Sequence, residues 1–373
     1  METIRLMAVG DIMLSCNRGT GKLIENMGPG YPFEHVKDYL KQADVLFGNL
    51  EGPISTRGIS FPRQDPQTTF RARPESMAGL VGCGFHVLSL ANNHANDYGD
   101  EALIDTIELL DMNSIECVGA GRNRYEAYRP VIIEKNGIRI AFLGYTAFIM
   151  YRTRPASERR SGVAGFTIRQ ARKQIRQLIG NVDVIAVSMH WGLDFTEYPL
   201  PLHMKYAQAM IDAGAHIILG HHPHCLQGIE RYKHGIIAYS LGDFIFDEPG
   251  QDTMILECDI SKNGIHHLTI VPARISKQFQ TEFLNEEEGR AVLGKVQSLS
   301  EKYGSYGVDI VDELWEKYIS INIFIFLRSF NVHVLRNLLV PVIFGKLIKF
   351  LCIKIRNRIK NNSIFCTFFH GNG

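Results

Sequence analysis

Short apolar runs alternate with helical patterns through the first two thirds of the chain, and this alternation restricts the possible folds more than any other feature. Runs typical of buried strands are "IRLMAVG", "DVLFG", "HVLSLAN", "VDVIAVSM" and "HIILG", with amphipathic stretches such as "DEALIDTIELLDMNS" between them. Strands that alternate with helices build partly parallel sheets that are covered by helices. Turn signals at residues 136–137, 234–235 and 263–264 predict hairpins that add antiparallel strands. The sequence therefore predicts an α/β layered fold.

The length and composition are those of a globular protein with a sizeable core. A chain of 373 residues suits one large domain with an appendage, or two modest domains. The formal net charge of +1 shows no excess of the kind that whole-chain binding to nucleic acid would favour. The seven cysteines are scattered singly, which fits a reducing compartment better than a disulfide framework. The opening "METIRLMAVGDIML" does not have the order of a secretory signal, so we expect a cytoplasmic protein.

The character of the chain changes near residue 280, where a polar helical stretch leads into a basic tail. No acidic residue follows Glu316, and nine Lys or Arg lie among apolar stretches such as "INIFIFL". Charges interrupt these stretches too often for the roughly 20 apolar residues of a membrane span. The tail is either a pair of helices packed on the domain with a solvated basic face, or a surface that attaches to anionic lipid or a membrane-bound partner at the inner face of the membrane. We therefore predict an α/β domain at 1–280 and a helical, basic amphipathic extension at 281–373.

Polar side chains follow the predicted strands at the points where the strands end. These residues are Asp11, Asn49, Glu51, Asn93, His94, His190, His222 and His224. Because the carboxyl ends of parallel strands meet at one edge of a sheet, we expect these side chains to converge. Carboxylate, amide and imidazole groups are the ligands of divalent ions such as Mn, Fe, Zn or Ni. The sequence therefore predicts a metal site at this edge.

Each of these residues also has an ordinary structural explanation when it is taken alone. Asp11 follows a glycine and could cap a helix or form a turn, and His190 could be a satisfied core histidine. The segment "GHHPH" is harder to explain by packing, since packing gives little reason to cluster imidazoles. On an extended loop His222 and His224 would point to the same side, with Pro223 stiffening the backbone between them. The joint pattern favours metal binding.

Six motifs, in this order, resemble those of the CapA family, the poly-γ-glutamate capsule synthesis proteins. They are "GDIML", "FGNLEGPIS", "LANNHANDYG", "SMHWG", "GHHPHCLQ" and "YSLGDFIFD". The resemblance covers roughly residues 4–250, and the CapA family is itself similar to the calcineurin-like metallophosphoesterases. It implies a four-layer α/β/β/α metallophosphoesterase-like sandwich with mixed sheets, which holds two divalent metal ions.

The resemblance also implies roles for individual residues. The metal ligands would be Asp11, Glu51, Asn93, His190, His222 and His224. Asn49 is the other candidate for the bridging position that Glu51 would occupy, and His221 stands where the pattern has a glycine, beside the ligands. His94 resembles the catalytic histidine that binds no metal. Met13 replaces a second histidine ligand of the phosphoesterases, so one of the two ions (Mn, Fe or Zn) would lose a ligand.

Two further residues are secondary candidates. Asp97 could orient His94, although an aspartate at this place could equally cap a helix. Arg73, in "FRARPE", could meet an anionic substrate, although a solvated arginine is an equally good explanation.

Two functional hypotheses of different classes follow. The first is a metal-dependent hydrolase of capsule or poly-γ-glutamate biosynthesis, in which an activated water attacks a phosphoester or a γ-glutamyl amide of an anionic substrate. The second is a non-catalytic accessory protein for polymer assembly or export, whose metal site is structural or vestigial. Nucleic acid is not expected as a partner, because the first domain has no basic stripe with interleaved aromatic residues.

Overall fold

Two mixed β-sheets pack face to face, and helices cover their outer faces. The computed structural model describes residues 2–16, 18–60, 65, 68–148, 153–301 and 303, and the predicted basic tail lies outside these residues. The strands are β1 (Ile4–Ile12), β2 (Val45–Leu50), β3 (Val87–Ser89), β4 (Glu116–Val118), β5 (Ala120–Gly121), β6 (Val131–Lys135), β7 (Ile138–Thr146), β8 (Gly162–Val163), β9 (Val184–His190), β10 (Ile217–His221), β11 (Ile229–Tyr232), β12 (Gly235–Ala238), β13 (Asp243–Ile245), β14 (Asp252–Ser261), β15 (Gly264–Ile275) and β16 (Thr281–Phe283). The helices are α1 (Gly19–Met27), α2 (Lys37–Leu40), α3 (Met77–Cys83), α4 (Gly99–Met112), α5 (Arg124–Ala127), α6 (Ile168–Leu178), α7 (Pro201–Ile211) and α8 (Glu286–Glu301).

Each large sheet has a parallel centre and antiparallel margins. Sheet 1 has the order β16-β15-β14-β1-β2-β3-β4, and β13 pairs with the end of β1. Strands β1 to β4 are mutually parallel, as are β1 and β13, whereas β14, β15 and β16 run antiparallel to their neighbours. Sheet 2 has the order β11-β12-β10-β9-β7-β6, with β7, β9, β10 and β12 parallel. The three predicted hairpins are present as β6–β7, β11–β12 and β14–β15.

Three apolar cores separate the four layers. The core between the sheets contains alternate residues of both, and Phe47 of sheet 1 stacks on Phe142 of sheet 2 with ring centroids 5.6 Å apart. The opposite face of sheet 1 packs against α1 to α4, through residues such as Leu80 and Leu103. The outer face of sheet 2 packs against α6 and α7. The order helix, sheet, sheet, helix confirms the predicted four-layer sandwich.

Side-chain caps define the first residues of two helices. Thr167 caps α6, because its hydroxyl accepts a hydrogen bond from the Gln170 N–H at 3.2 Å. Asn123 caps α5 in the same way, through the Glu126 N–H. The stretch "PFEHVKDYLKQ" has a helical sequence pattern but is not one helix, since it contains the end of a short 3-10 helix at Tyr31–Phe33 and then α2. None of the helices among the described residues is both long and apolar enough to cross a bilayer.

Gly10 lets two chain segments meet beside the end of β1. A Cβ atom at Gly10 would lie 1.8 Å from the carbonyl oxygen of Gly242, which accepts the Asp11 N–H at 3.0 Å. We expect Gly10→Ala to lower the free energy of unfolding by about 3 kcal/mol or more, because backbone has to move apart. The control is Gly82→Ala within α3, where a Cβ would meet no atom within 4 Å. Urea denaturation of both variants measures this difference, and equal stability would contradict it.

Candidate metal centre

The carboxyl ends of strands from both sheets bring the predicted residues to one place. Asp11 pairs in register with Asn49 on one side and with Asp243 on the other. His190 ends β9 and pairs with His221 at the end of β10. All of these side chains are fully buried. The register of the parallel strands therefore produces the convergence that was predicted from the strand ends.

Glu51 lies at the centre of the cluster. A carboxylate oxygen of Glu51 lies within 4.8 Å of donor atoms of His190 and His222. A carboxylate oxygen of Glu51 also lies within 4.8 Å of donor atoms of Asp11 and His224. Glu51 is 1% exposed, and neither carboxylate oxygen has a hydrogen-bond partner among the described residues. A buried carboxylate without hydrogen bonds is costly unless a cation compensates it. A positive partner would therefore stabilise the charged form of Glu51.

Asn49, the other candidate for the central position, is engaged differently. Its Nδ2 donates to Asp11 Oδ1 at 2.8 Å, and its Oδ1 accepts from Asn92 Nδ2 at 3.3 Å. Both ends of the amide therefore have protein partners. Between the two candidates, the geometry favours Glu51 as the shared ligand and Asn49 as a support for Asp11.

Three neighbours fix the Asp11 carboxylate. Besides Asn49, the His222 N–H donates to Asp11 Oδ2 at 2.9 Å, and Nδ1 of His221 lies 3.2 Å from Oδ1. His221 thus lies directly behind a predicted ligand, as expected of a residue beside the ligands. Asn93 and His190 form a second contact, with the Asn93 Oδ1 and His190 Nε2 atoms 2.7 Å apart.

The loop after β10 has a different backbone from the extended one that the sequence suggested. His222 and His224 have φ values of 95° and 53°, in the left-handed region that is costly for residues other than glycine. The two rings nevertheless face the same centre, with centroids 5.5 Å apart. The prediction that both side chains point to the same side is right, but an extended loop is the wrong reason for it.

His94 lies at the edge of the cluster in a defined orientation. Its Nδ1 is 2.7 Å from Asp97 Oδ2, which also accepts the Phe70 N–H at 2.8 Å. The Phe70 ring stacks on the imidazole with centroids 4.0 Å apart. Its Nε2 lies 3.8 Å from Glu51 Oε1, so this nitrogen faces the donor cluster. His94 therefore has one nitrogen fixed by a carboxylate and the other directed to the site.

Met13 is fully buried in an apolar cluster with Phe70, Phe246 and Ile275. The Met13 sulfur accepts the Ser15 N–H at 3.1 Å. Neither contact involves the donor cluster. The position therefore supplies packing next to the site.

Burial and crowded charges shift the acid–base properties of the cluster. Burial raises the pKa of Glu51 well above its ordinary value, and the nearby carboxylates of Asp11 and Asp243 raise it further. Burial also lowers the pKa of His190 well below its ordinary value, together with the neighbouring histidines. Burial would raise the pKa of Asp11 as well, but the facing His221 ring holds it below the ordinary value.

The donor set fits divalent metal ions. Carboxylate, amide and neutral imidazole groups converge, and the buried Glu51 carboxylate lacks hydrogen bonds among the described residues. An ion would offset both the burial and the neighbouring carboxylates that raise the pKa of Glu51. Mixed nitrogen and oxygen ligands are typical of Mn, Fe and Zn centres.

Two aspartates at the site were not among the predicted site residues. Asp243 Oδ1 lies 2.8 Å from His224 Nδ1, and Asp194 Oδ1 lies 2.8 Å from His222 Nε2. Asp243 carried a usable signal, since "LGDFIF" repeats the Gly-Asp strand end of "VGDIML". Asp194 follows a strand by four residues, and nothing in its local sequence separates it from a loop aspartate.

Arg73 lies in a surface ion pair. Its Nε is 3.0 Å from Glu25 Oε1, and its side chain is 61% exposed. The contacts described for Arg73 join it to α1, and none joins it to the donor cluster.

The comparisons with known proteins agree on one family. The family model "Bacterial capsule synthesis protein PGA_cap" matches residues 5–248. The capsule biosynthesis protein CapA of Bacillus anthracis is 35% identical over 283 residues, which cover 74% of this chain and 68% of the relative. The PGA biosynthesis protein CapA of Bacillus subtilis is 33% identical over 271 residues, which cover 72% and 70%.

A more distant relative and two solved structures are also similar. A probable polyglutamine synthesis accessory protein of Mycobacterium tuberculosis is 26% identical, over 75% of this chain and 78% of its own. A phosphatase structure from Mycoplasma pneumoniae aligns with a TM-score of 0.47 at 12% identity, covering 73% of this chain and 94% of that one. The NAD nucleotidase of Haemophilus influenzae aligns with a TM-score of 0.44 at 13% identity, covering 80% and 63%.

Proposed function

Because the chain belongs to the PGA_cap family of bacterial capsule synthesis proteins, we propose that it is a metal-dependent hydrolase in the biosynthesis of a poly-γ-glutamate or related anionic capsular polymer. The bond cleaved would be a γ-glutamyl amide or a phosphoester. The observation that carries the proposal is the position of Glu51, whose buried carboxylate is shared by two sets of donor atoms. Two sets that share one carboxylate suit two ions held close together.

The donors divide between the two proposed ions. Asp11 and His224 would hold the first, while Asn93, His190 and His222 would hold the second. Glu51 would bridge them. The neighbouring Asp243 would fix the ring of His224, as a carboxylate behind a histidine ligand commonly does.

When bound, the ions would activate a water molecule and stabilise negative charge on the substrate. His94 would protonate the leaving group, because its Nε2 faces the cluster while Nδ1 is held by Asp97. Phe70 restricts the imidazole by stacking on it, and its own backbone N–H fixes Asp97. With Nδ1–H donated to Asp97, the ring would act as a proton donor in its doubly protonated form, in which the Nε2 proton faces the donor cluster.

The direct test uses the purified full chain. Bound metal is measured by mass spectrometry, and hydrolysis of bis-p-nitrophenyl phosphate and of γ-glutamyl oligomers is assayed after reloading with Mn, Fe or Zn. We expect about two metal ions per chain and metal-dependent hydrolysis of at least one substrate. Loaded protein that cleaves neither substrate would refute the hydrolase.

Removing metal should lower thermal stability. An ion that binds only the folded chain stabilises it by about 2.7 kcal/mol at a concentration a hundred times Kd, so chelation should lower Tm by about 5 °C. Differential scanning calorimetry with and without EDTA measures the change. The control is His222→Ala, in which EDTA should shift Tm much less, and an equal shift in both proteins would contradict the proposal.

Asp97→Asn should slow turnover without removing metal. Asparagine preserves the volume but loses the charge that holds His94 Nδ1, so we expect kcat to fall by about tenfold to a hundredfold with KM unchanged. Steady-state kinetics over a range of pH measures this, because a positioning role also changes the pH profile of kcat. The exposed Asp111→Asn on α4 is the matched control. A wild-type pH profile in Asp97→Asn would argue against the role.

The second candidate function is a non-catalytic accessory role in polymer assembly or export. The apolar surroundings of Met13 favour it, because no ligand is supplied at a position where phosphoesterases have a histidine. A His94→Ala variant, expressed in a host whose own gene is deleted, distinguishes the two. Normal polymer production would favour the accessory role, whereas loss of production would favour the hydrolase.

A further inference from the structure

The two outer helix layers carry opposite charge. Helix α4, on sheet 1, contains five acidic residues and no Lys or Arg. Helices α6 and α7, on sheet 2, contain no acidic residue and five cations, which are Arg169, Arg172, Lys173, Arg176 and Lys205. The net charge of +1 therefore conceals a strongly basic face of the first domain.

Four of these cations form a single row. Arg169, Arg172, Lys173 and Arg176 follow the spacing that places side chains on the same side of a helix, and they span about 10 Å of the α6 axis. Lys173 is exposed, as are Arg169 and Arg176, and Arg172 is half-buried. We call this row the α6 basic face. Within the part of the chain that the structure describes, no carboxylate forms an ion pair with any member of this row, so the row is not neutralised by that part of the protein.

The acidic helix differs in this respect. Asp105 lies 3.6 Å from the Nε of Arg57, and Glu108 lies 3.5 Å from Arg122. Part of the charge on α4 is therefore neutralised within the domain. The α6 basic face is left to attract a partner from solution.

The α6 basic face begins close to the metal centre. Gly165, four residues before Arg169, forms a parallel bridge with Thr146 at the end of β7. Thr146 in turn pairs in register with His190, one of the proposed ligands. The Phe166 N–H also donates to the Thr146 carbonyl at 2.8 Å. A linear ligand along the row would therefore have one end at the sheet edge that carries the site.

The chemistry of the row suits a chain of carboxylates better than a lipid surface. The apolar residues of α6, Ala171, Ile175 and Leu178, are buried against sheet 2, so the helix has no apolar face to insert into a bilayer. Four closely spaced cations on one side of a helix complement the repeated negative charges of an extended polymer.

We propose that the α6 basic face binds the polycarboxylate polymer and leads it to the metal centre. The inference rests on the proposed function for the identity of the polymer, but it concerns binding and not cleavage. Binding through several weak surface charges should be strongly dependent on salt.

The test measures the affinity of the full chain for fluorescently labelled poly-γ-glutamate of defined length, by anisotropy at two salt concentrations. The variant R169Q/R172Q/K173Q/R176Q keeps good helix formers and removes four charges. We expect Kd to rise by about tenfold or more. The control K22Q/K135Q/K262Q/K277Q removes four exposed lysines elsewhere, with the same change in net charge, and should stay within about twofold of the wild type.

Two further measurements make the outcome independent of how well that variant folds. The triple variant R169K/R172K/R176K keeps the charges and should retain affinity. In the unmodified protein, bound polymer should protect Lys173 from acetylation, as measured by mass spectrometry, and should leave Lys262 reactive. Equal affinity of the glutamine variant and its control, or no protection of Lys173, would overturn the proposal.

Binding of a different partner to the α6 basic face would give different results. Binding of phosphatidylglycerol vesicles without binding of the polymer would overturn the proposal, as would a dimer of the wild type that dissociates in the glutamine variant. The His222→Ala variant separates this inference from the proposed function. It should lose metal but still bind polymer through the α6 basic face. Polymer binding without any hydrolysis would support this inference and refute the hydrolase.

Discussion

Replacing Glu51 with glutamine is expected to remove metal binding while leaving the metal-free fold intact. The side chain keeps its volume but loses the charge that two sets of donor atoms share. Metal affinity should fall by more than about a hundredfold, since loss of a residue that only supports a ligand already costs about ten- to a hundredfold. Because burial, and then the nearby carboxylates of Asp11 and Asp243, disfavour the charged form of Glu51 and raise its pKa, the metal-free variant should be at least as stable as the metal-free wild type.

Metal content by mass spectrometry and Tm in EDTA test both halves of this expectation. The matched control is Glu257→Gln, a half-buried carboxylate on β14 outside the donor cluster, which should keep its metal. A Glu51→Gln protein that binds metal as tightly as the wild type would remove the central residue from the proposed site. Loss of metal together with a destabilised metal-free fold would mean that the carboxylate has a structural partner instead.

The second large effect is expected at His94. His94→Asn should lower kcat by about a hundredfold to a thousandfold, because the proton donor to the leaving group is removed. Metal content should not change, since Nδ1 of His94 is engaged by Asp97 and Nε2 is 3.8 Å from Glu51. This combination separates a catalytic histidine from a ligand.

Parallel kinetics and metal analysis of His94→Asn and of the exposed His267→Asn provide the comparison. Loss of metal in His94→Asn would reassign the residue as a ligand. Full activity would exclude it from proton transfer. Substrates with better leaving groups should be less sensitive to the substitution, because they need less protonation.

The sequence predicted that these residues converge, because polar side chains at strand ends have few other reasons to recur. Asp11, His190 and the histidines after β10 each follow an apolar run, and parallel pairing then brings them together. The positive φ of His222 could not be predicted in this way. That conformation is imposed by its N–H bond to Asp11, 211 residues away in sequence, and local propensity carries no information about such a contact.

The surroundings of charged side chains were harder to predict from the sequence than the burial of apolar side chains. Arg73 was a candidate for contact with an anionic substrate. In the structure it instead forms an ion pair with Glu25 on α1. Helix α6, by contrast, has an amphipathic sequence pattern, but whether acidic side chains lie near its basic residues depends on which elements pack nearby. Burial follows from periodicity, whereas the surroundings of an exposed charge follow from the tertiary structure.

The pairing of β1 with β13 and β14 bears on when the centre can form during synthesis. Asp11 is translated long before the strands that flank it on one side, which end at Ile245 and Ser261. A nascent chain that stops before Asp243 has the first carboxylate without its neighbour in the sheet. Loading of the proposed metal ions would therefore follow translation of these strands, and fragments that end earlier should lack the complete donor cluster.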